Sequence, residues 1–135
     1  MTDFQKAEWH EVPIRVRYSE TDAMGLLHHA NYITYFEIAR TELFRVGGGN
    51  YRAMEERGYF LVVVNVECKY KRPARYDDQL MIKVRLDQWT GAKLVHEYEI
   101  VRQSELVATG RTVLACVDRQ GEVQRITEEL LYPVG

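Results

Sequence analysis

The chain has 135 residues, 46% of them hydrophobic, which suits one domain around one core and argues against long disorder. Its formal net charge of -2 gives no broad basic footprint for nucleic acid. No apolar stretch approaches the ~20 residues that span a bilayer, and the opening MTDFQKAEWHEVP lacks the basic-then-apolar order of a secretory signal.

Cys68 and Cys116 are the two cysteines, and neither lies in a CxxC pair. Both fall within apolar alternations, so buried free thiols are expected rather than a disulfide framework or structural zinc site. Together these features point to a reduced, cytoplasmic compartment.

The first alternation sets Val12, Ile14, Val16 and Tyr18 against Pro13, Arg15, Arg17 and Ser19, a half-buried strand ending near Ser19. A connection follows, and then the period changes. Tyr32, Ile33, Tyr35, Phe36, Ile38, Ala39, Leu43, Phe44 and Val46 cover more than a narrow stripe, as in a helix buried on several sides. About 18 residues from His29 would span ~27 Å. Gly47-Gly48-Gly49 stops the helix, and a shorter one is predicted over 51–57.

Strand alternation then resumes. Phe60, Val62, Val64, Val66, Cys68 and Tyr70 form one face, and Leu80, Ile82, Val84 and Leu86 the next. Leu94, His96, Tyr98 and Ile100 follow, then Leu106, Ala108, Thr112, Leu114 and Cys116. Short polar connections at Thr90-Gly91 and Gln103-Ser104 predict antiparallel hairpins. Gly110 marks a bulge or a close approach by another backbone.

Strand, long helix, then four strands fits a curled antiparallel five-stranded sheet around a central helix. An open α+β sandwich with the helix on one face remains the alternative from periodicity alone. Val95, Val101, Val107, Val113 and Val117 fall at outward positions, more apolar surface than a lone solvated sheet face needs.

The segment YSETDAMGLLHHANY at 18–32 joins the first strand to the buried helix. Such a junction can set a carboxylate, Asp22, near free N–H groups at a helix N-terminus, where the dipole favours developing negative charge. A carboxylate facing oxyanion donors is a minimal apparatus for acyl transfer. Because the helix is apolar on most sides, its N-terminus is expected to open into a partly dry cleft.

These residues resemble the 4-hydroxybenzoyl-CoA thioesterase family of hotdog proteins, especially its YbgC-like branch. The resemblance rests on Val16-Arg17, Thr21-Asp22, Gly25, His29-Ala30, Tyr32 and Glu37-Ile-Ala39-Arg40-Thr41-Glu42. A second motif stands at Tyr70-Lys-Arg-Pro73-Ala74-Arg75-Tyr-Asp77-Asp78. Similarity runs from about Val12 to Asp118 and implies a single hotdog domain over 1–135. It further implies acyl-CoA thioesterase activity without metal or other cofactor. Asp22 then takes the catalytic aspartate's place, and the His29 backbone N–H polarises the thioester carbonyl. Gly25 allows the connecting turn and, with Tyr32, Lys71, Arg72 and Arg75, is expected to border the substrate. His28 departs from the aromatic residue many relatives carry. Homodimers or homotetramers are implied, and acyl-carrier protein could replace coenzyme A as the carrier.

Plainer readings stand beside these. Asp22 could simply begin a turn. His28 and His29 are adjacent without a completing ligand set, which argues against a metal. Lys69, Lys71, Arg72 and Arg75 could be a solvated strand end or contacts for coenzyme A phosphates. Glu37 and Arg40, three apart, predict a helix ion pair, and Glu37 is a reserve catalytic carboxylate. His96 alternates with core residues and is expected to be buried and satisfied. The rival functions are a hydroxyacyl-thioester dehydratase and a non-catalytic acyl-CoA or acyl-carrier binding module.

Overall fold

In a computed structural model that describes residues 8–133, the alternating segments form β1 (His10–Arg15), β2 (Tyr59–Tyr70), β3 (Gln79–Trp89), β4 (Leu94–Arg102) and β5 (Glu105–Asp118). They pair antiparallel in the order β1-β3-β4-β5-β2. A sixth strand, β6 (Val123–Gln124), pairs with the end of β5 at Cys116 and Val117, beyond the last β4 rung at Leu94–Leu114. The expected five strands are therefore joined by a short sixth that continues β4's place beside β5. The two hairpins lie where the polar dipeptides predict them.

The central helix α1 spans His29–Val46, and α2 spans Tyr51–Glu56. The α1 N-terminus is capped by His28, whose side chain accepts the Ala30 N–H. At the other end the chain turns through Gly48 at φ +96, a conformation that disfavours any side chain with a Cβ. A last short helix, α3 (Glu128–Leu131), is capped by Thr127 accepting the Leu130 N–H.

α1 packs on the sheet through two apolar clusters. Tyr32, Tyr35 and Phe36 meet Leu80, Ile82 and Ile100, whereas Phe44 meets Met54, Leu94, Leu114 and Ile126. Full burial of each such side chain stabilises the fold by about 1.5–3 kcal/mol. Between the clusters runs a buried polar row of Arg40 on α1, His96 on β4 and Thr112 on β5. Gly110 explains how the helix approaches so closely. A Cβ there would lie 2.3 Å from the Phe36 ring, so the intruder is mainly a side chain rather than the expected backbone.

Several sequence expectations are corrected by local irregularities. The β2 register shifts between Val63 and Asn65. Val66, Cys68 and Tyr70 thus share the helix face with Leu61 and Val63, whose partners are Cys116 and Leu114, while Phe60 and Val62 turn outward. A second shift, between Ile100 and Val101, turns Val107 into the core, where it is fully buried. Val95, also expected outward, is fully buried as well. Tyr18 does not extend the first strand. It opens a 3-10 turn, Tyr18–Glu20, and is 77% exposed.

β2 is an edge strand with exposed valines. Val63 is 50% and Val64 59% exposed. Unpaired edges of this kind invite a further strand.

Candidate active site

Asp22 sits in a short hairpin between the 3-10 turn and α1. Thr21 bridges Leu27, and the Asp22 N–H donates to the Leu26 carbonyl at 2.8 Å. The Asp22 carboxylate closes the turn. Its Oδ1 accepts the N–H groups of Met24 at 2.9 Å and Leu26 at 3.1 Å. The Gly25 N–H returns to the Asp22 carbonyl at 2.9 Å, with Gly25 at φ +79. The turn reading of Asp22 thus holds: one oxygen shapes the turn, and the side chain remains exposed.

A carboxylate that the sequence reading passed over ties this hairpin to the helix. Glu20 is 6% exposed. Its Oε1 accepts the Arg17 N–H and the Tyr35 hydroxyl, both at 2.8 Å, and its Oε2 accepts the Arg17 guanidinium at 3.1 Å. Burial raises the Glu20 pKa, but the bonds from Arg17 and Tyr35 outweigh it and hold it below the ordinary value. The Glu20 carbonyl accepts the His28 N–H and the Asn31 side-chain amide, each at 2.9 Å. Its detectable signal was Tyr35, a buried helix hydroxyl that needs a partner.

At the start of α1, Ala30 donates to His28 Nδ1 at 3.2 Å and Asn31 to the His28 carbonyl at 2.9 Å. His29 occupies the first helical position, where its N–H has no intrahelical acceptor. The His29 ring stacks on His28 with centroids 4.3 Å apart, and its carbonyl accepts the Tyr70 hydroxyl at 3.0 Å. Burial, with Cys68 nearby, pushes the Tyr70 phenol up to about 12, so it stays a donor at neutral pH. Asp22, His28 and His29 are all exposed. The described residues of one chain therefore do not form the expected dry cleft.

The proposed substrate residues separate. Tyr32 is 3% exposed, edge-on to Tyr70 at 4.8 Å, and supports the helix start from below. Arg75 is exposed beside the hairpin, where its backbone bridges Leu26. Arg72 lies 3.6 Å from Glu105, whereas Lys71 is exposed with its N–H bound to the Val107 carbonyl at 2.8 Å. Both cysteines are free thiols, Cys116 buried and Cys68 partly so. Among the described residues no group of three or more His, Cys, Asp or Glu side chains could share a metal ion, and no helix is long and apolar enough to cross a membrane.

The expected Glu37–Arg40 pair does not form. Glu37 is exposed, while Arg40 is 8% exposed and donates to the Tyr98 hydroxyl at 3.1 Å. His96 is buried as expected but unsatisfied: its Nδ1 has no partner.

Residues 16–134 match the family model described as the thioesterase-like superfamily. The chain belongs to that family. It is 35% identical over 117 residues to a putative esterase of Aquifex aeolicus, covering 87% of this chain and 91% of the relative. Identity is also 35% over 107 residues to the acyl-CoA thioester hydrolase YbgC of Escherichia coli, covering 78% of this chain and 80% of that one. Among solved structures, a DHNA-CoA thioesterase from Staphylococcus aureus superposes with a TM-score of 0.84 at 32% identity, over 87% of this chain and 80% of its own. These matches settle the fold as hotdog rather than an open sandwich.

Proposed function

We propose that this family member hydrolyses an acyl-CoA thioester to a carboxylic acid and free coenzyme A. Relatives named as acyl-CoA thioester hydrolases support hydrolysis over dehydration or ligand binding without turnover. The observation that carries the mechanism is the divided use of the Asp22 carboxylate. Oδ1 is held by two backbone N–H groups, which fixes the side chain while leaving Oδ2 for chemistry. In the proposed reaction the Asp22 carboxylate takes a proton from water as the water oxygen bonds to the thioester carbon. The carbonyl electrons move to oxygen, stabilised by the His29 N–H and the positive end of α1. Collapse of this intermediate breaks the C–S bond, and the proton passes from Asp22 to the departing thiolate. A direct attack by Asp22 would instead form an anhydride that water then opens.

Asp22→Asn preserves an oxygen for the turn but removes the base. It should lower kcat by about 10²–10⁴ in an acyl-CoA hydrolysis assay while leaving the fold intact. Near-normal turnover would end this mechanism and make Glu37 the next carboxylate to test.

The working form we infer is a homodimer or homotetramer in the cytoplasm. The open Asp22 loop needs covering to exclude water, and the exposed β2 edge offers a place for a second copy to pair. Scattering should return a multiple of the 15.8 kDa chain mass at micromolar concentration. A mass of one chain would contradict it. Lys71 and Arg75 are the cations we assign to the coenzyme A phosphates, since Arg72 is engaged by Glu105. The carrier could also be an acyl-carrier protein, whose phosphopantetheine ends in the same thioester.

A further inference from the structure

The C-terminal half of α1 borders a different kind of space. A cavity of about 190 Å³ lies among Phe44, Tyr51, Leu86, Leu94, His96 and Tyr132. A neighbouring space of about 260 Å³ shares Tyr51 and Leu61 as walls and adds Arg40. The first is lined almost wholly by apolar and aromatic groups. Its polar exception, His96, is 6% exposed with an unpartnered Nδ1.

Arg40 is the second anomaly. Arg40 is 8% exposed and permanently charged, yet its polar neighbours are two neutral hydroxyls, Tyr98 at 3.1 Å and Tyr51, and its Nε has no partner. Tyr98 in turn bonds Thr112 at 2.6 Å, so that hydroxyl is shared. Among the described residues no carboxylate lies within ion-pair distance of Arg40. Glu37 and Glu55 stand at the same opening, but both are exposed and their repulsion of an anion is screened by solvent. A buried cation without a counter-charge is strongly unfavourable. Its remaining donors fit a planar, two-oxygen acceptor.

We propose that Arg40, Tyr51 and His96 form the polar end of a second ligand site, which takes a carboxylic acid with a compact apolar body. An apolar cavity of about 150 Å³ holds a benzene ring. The space here therefore suits a body of about six to eight carbons. The carboxylate lies against the Arg40 guanidinium, and the chain or ring enters the apolar cavity past Tyr51. Leu43 stands fourteen residues along α1 from His29, ~21 Å by helical rise, so this site is separate from the Asp22 hairpin. The inference concerns binding and does not depend on the thioester reading.

Calorimetric titration of the full chain with octanoate tests it, with 1-octanol as the neutral control. Octanoate should bind at one site per chain and at least about tenfold more tightly than octanol, the scale of a charge-assisted bond. Arg40→Gln should weaken octanoate by at least about tenfold while leaving octanol unchanged, and Leu86→Phe should weaken both by filling the cavity. Asp22→Asn separates the two sites. An octanoate seated at the open hairpin would tighten when that like charge is removed, whereas one at Arg40 would not respond. Equal affinity for octanoate and octanol, no octanoate binding at millimolar concentration, or tightening in Asp22→Asn would each overturn the proposal. Should Arg40→Gln fail to fold, the octanoate-to-octanol ratio in the unmodified chain and the Leu86→Phe titration decide the matter.

Discussion

The two halves of α1 treat buried charge in opposite ways. At the front, Glu20 is enclosed by donors from Arg17 and Tyr35, and every bond serves to hold the hairpin against the helix. At the back, Arg40 is enclosed by aromatic and apolar groups with the neutral hydroxyls of Tyr98 and Tyr51 for acceptors and an orphaned Nε, beside His96 with an orphaned Nδ1. The front has spent its buried polarity on structure and keeps its free valence in the open, on Asp22. The back keeps its free valence inside. A fully satisfied buried network rigidifies, whereas a partly satisfied one invites a partner.

The largest effect that would break this contrast lies with His96. Burial, reinforced by the Arg40 charge, lowers its pKa from 6.5 to about 3. The unfolded chain therefore binds more protons between those values. His96 contributes stability fully above pH 6.5 and loses it as pH falls toward 3, with a slope of up to about 1.4 kcal/mol per pH unit. Denaturant melts between about pH 5 and 6.5 isolate this term, because Glu20 titrates below its ordinary 4.5. His96→Leu should flatten that limb of the profile. An unchanged slope would mean that water reaches the imidazole.

Glu20 supplies the next test. Glu20→Gln removes the charge but keeps an acceptor, so about 1–3 kcal/mol of stability should go, measured by urea melts at pH 7. Because its folded pKa is lowered, the Glu20 contribution is complete above pH 4.5 and disappears as pH falls through the folded value. In the variant this acid-side loss should vanish. A loss of turnover without loss of stability would instead move Glu20 from bracket to catalyst.

The smallest expected effect concerns Lys71. Its charge is exposed, so Lys71→Ala should raise KM a few-fold at low salt, less at high salt, with kcat unchanged. A KM insensitive to the substitution would return Lys71 to solvent duty on the strand end.

Much of this contrast was hidden in the residues, for physical reasons. The α1 bounds were legible because the apolar period opens at Tyr32, within a turn of His29, and three glycines end it. The Asp22 turn was legible through Asp and Gly at turn spacing. The β2 bulge was not, since Val62, Val63 and Val64 are alike and alternation runs through them without a mark. Arg40 and Glu37 looked paired because spacing reports proximity on a helix, not which side the sheet covers. Arg40 falls four residues after Phe36 and follows it inward. The C-terminal elements had a readable signal in Thr127 followed by Glu128 and Glu129, a helix start that a search limited to apolar periodicity passes over.

Phe36, seated over Gly110, lies near the middle of the helix: seven residues follow His29 to reach it, and ten more lead to Val46. A rod pinned at this point cannot slide along its own axis without driving a ring into backbone. The notch lies ~10 Å from His29 and ~15 Å from Val46 along the helix. The axial position of the amide at the head of the helix is therefore fixed by a residue that has no side chain.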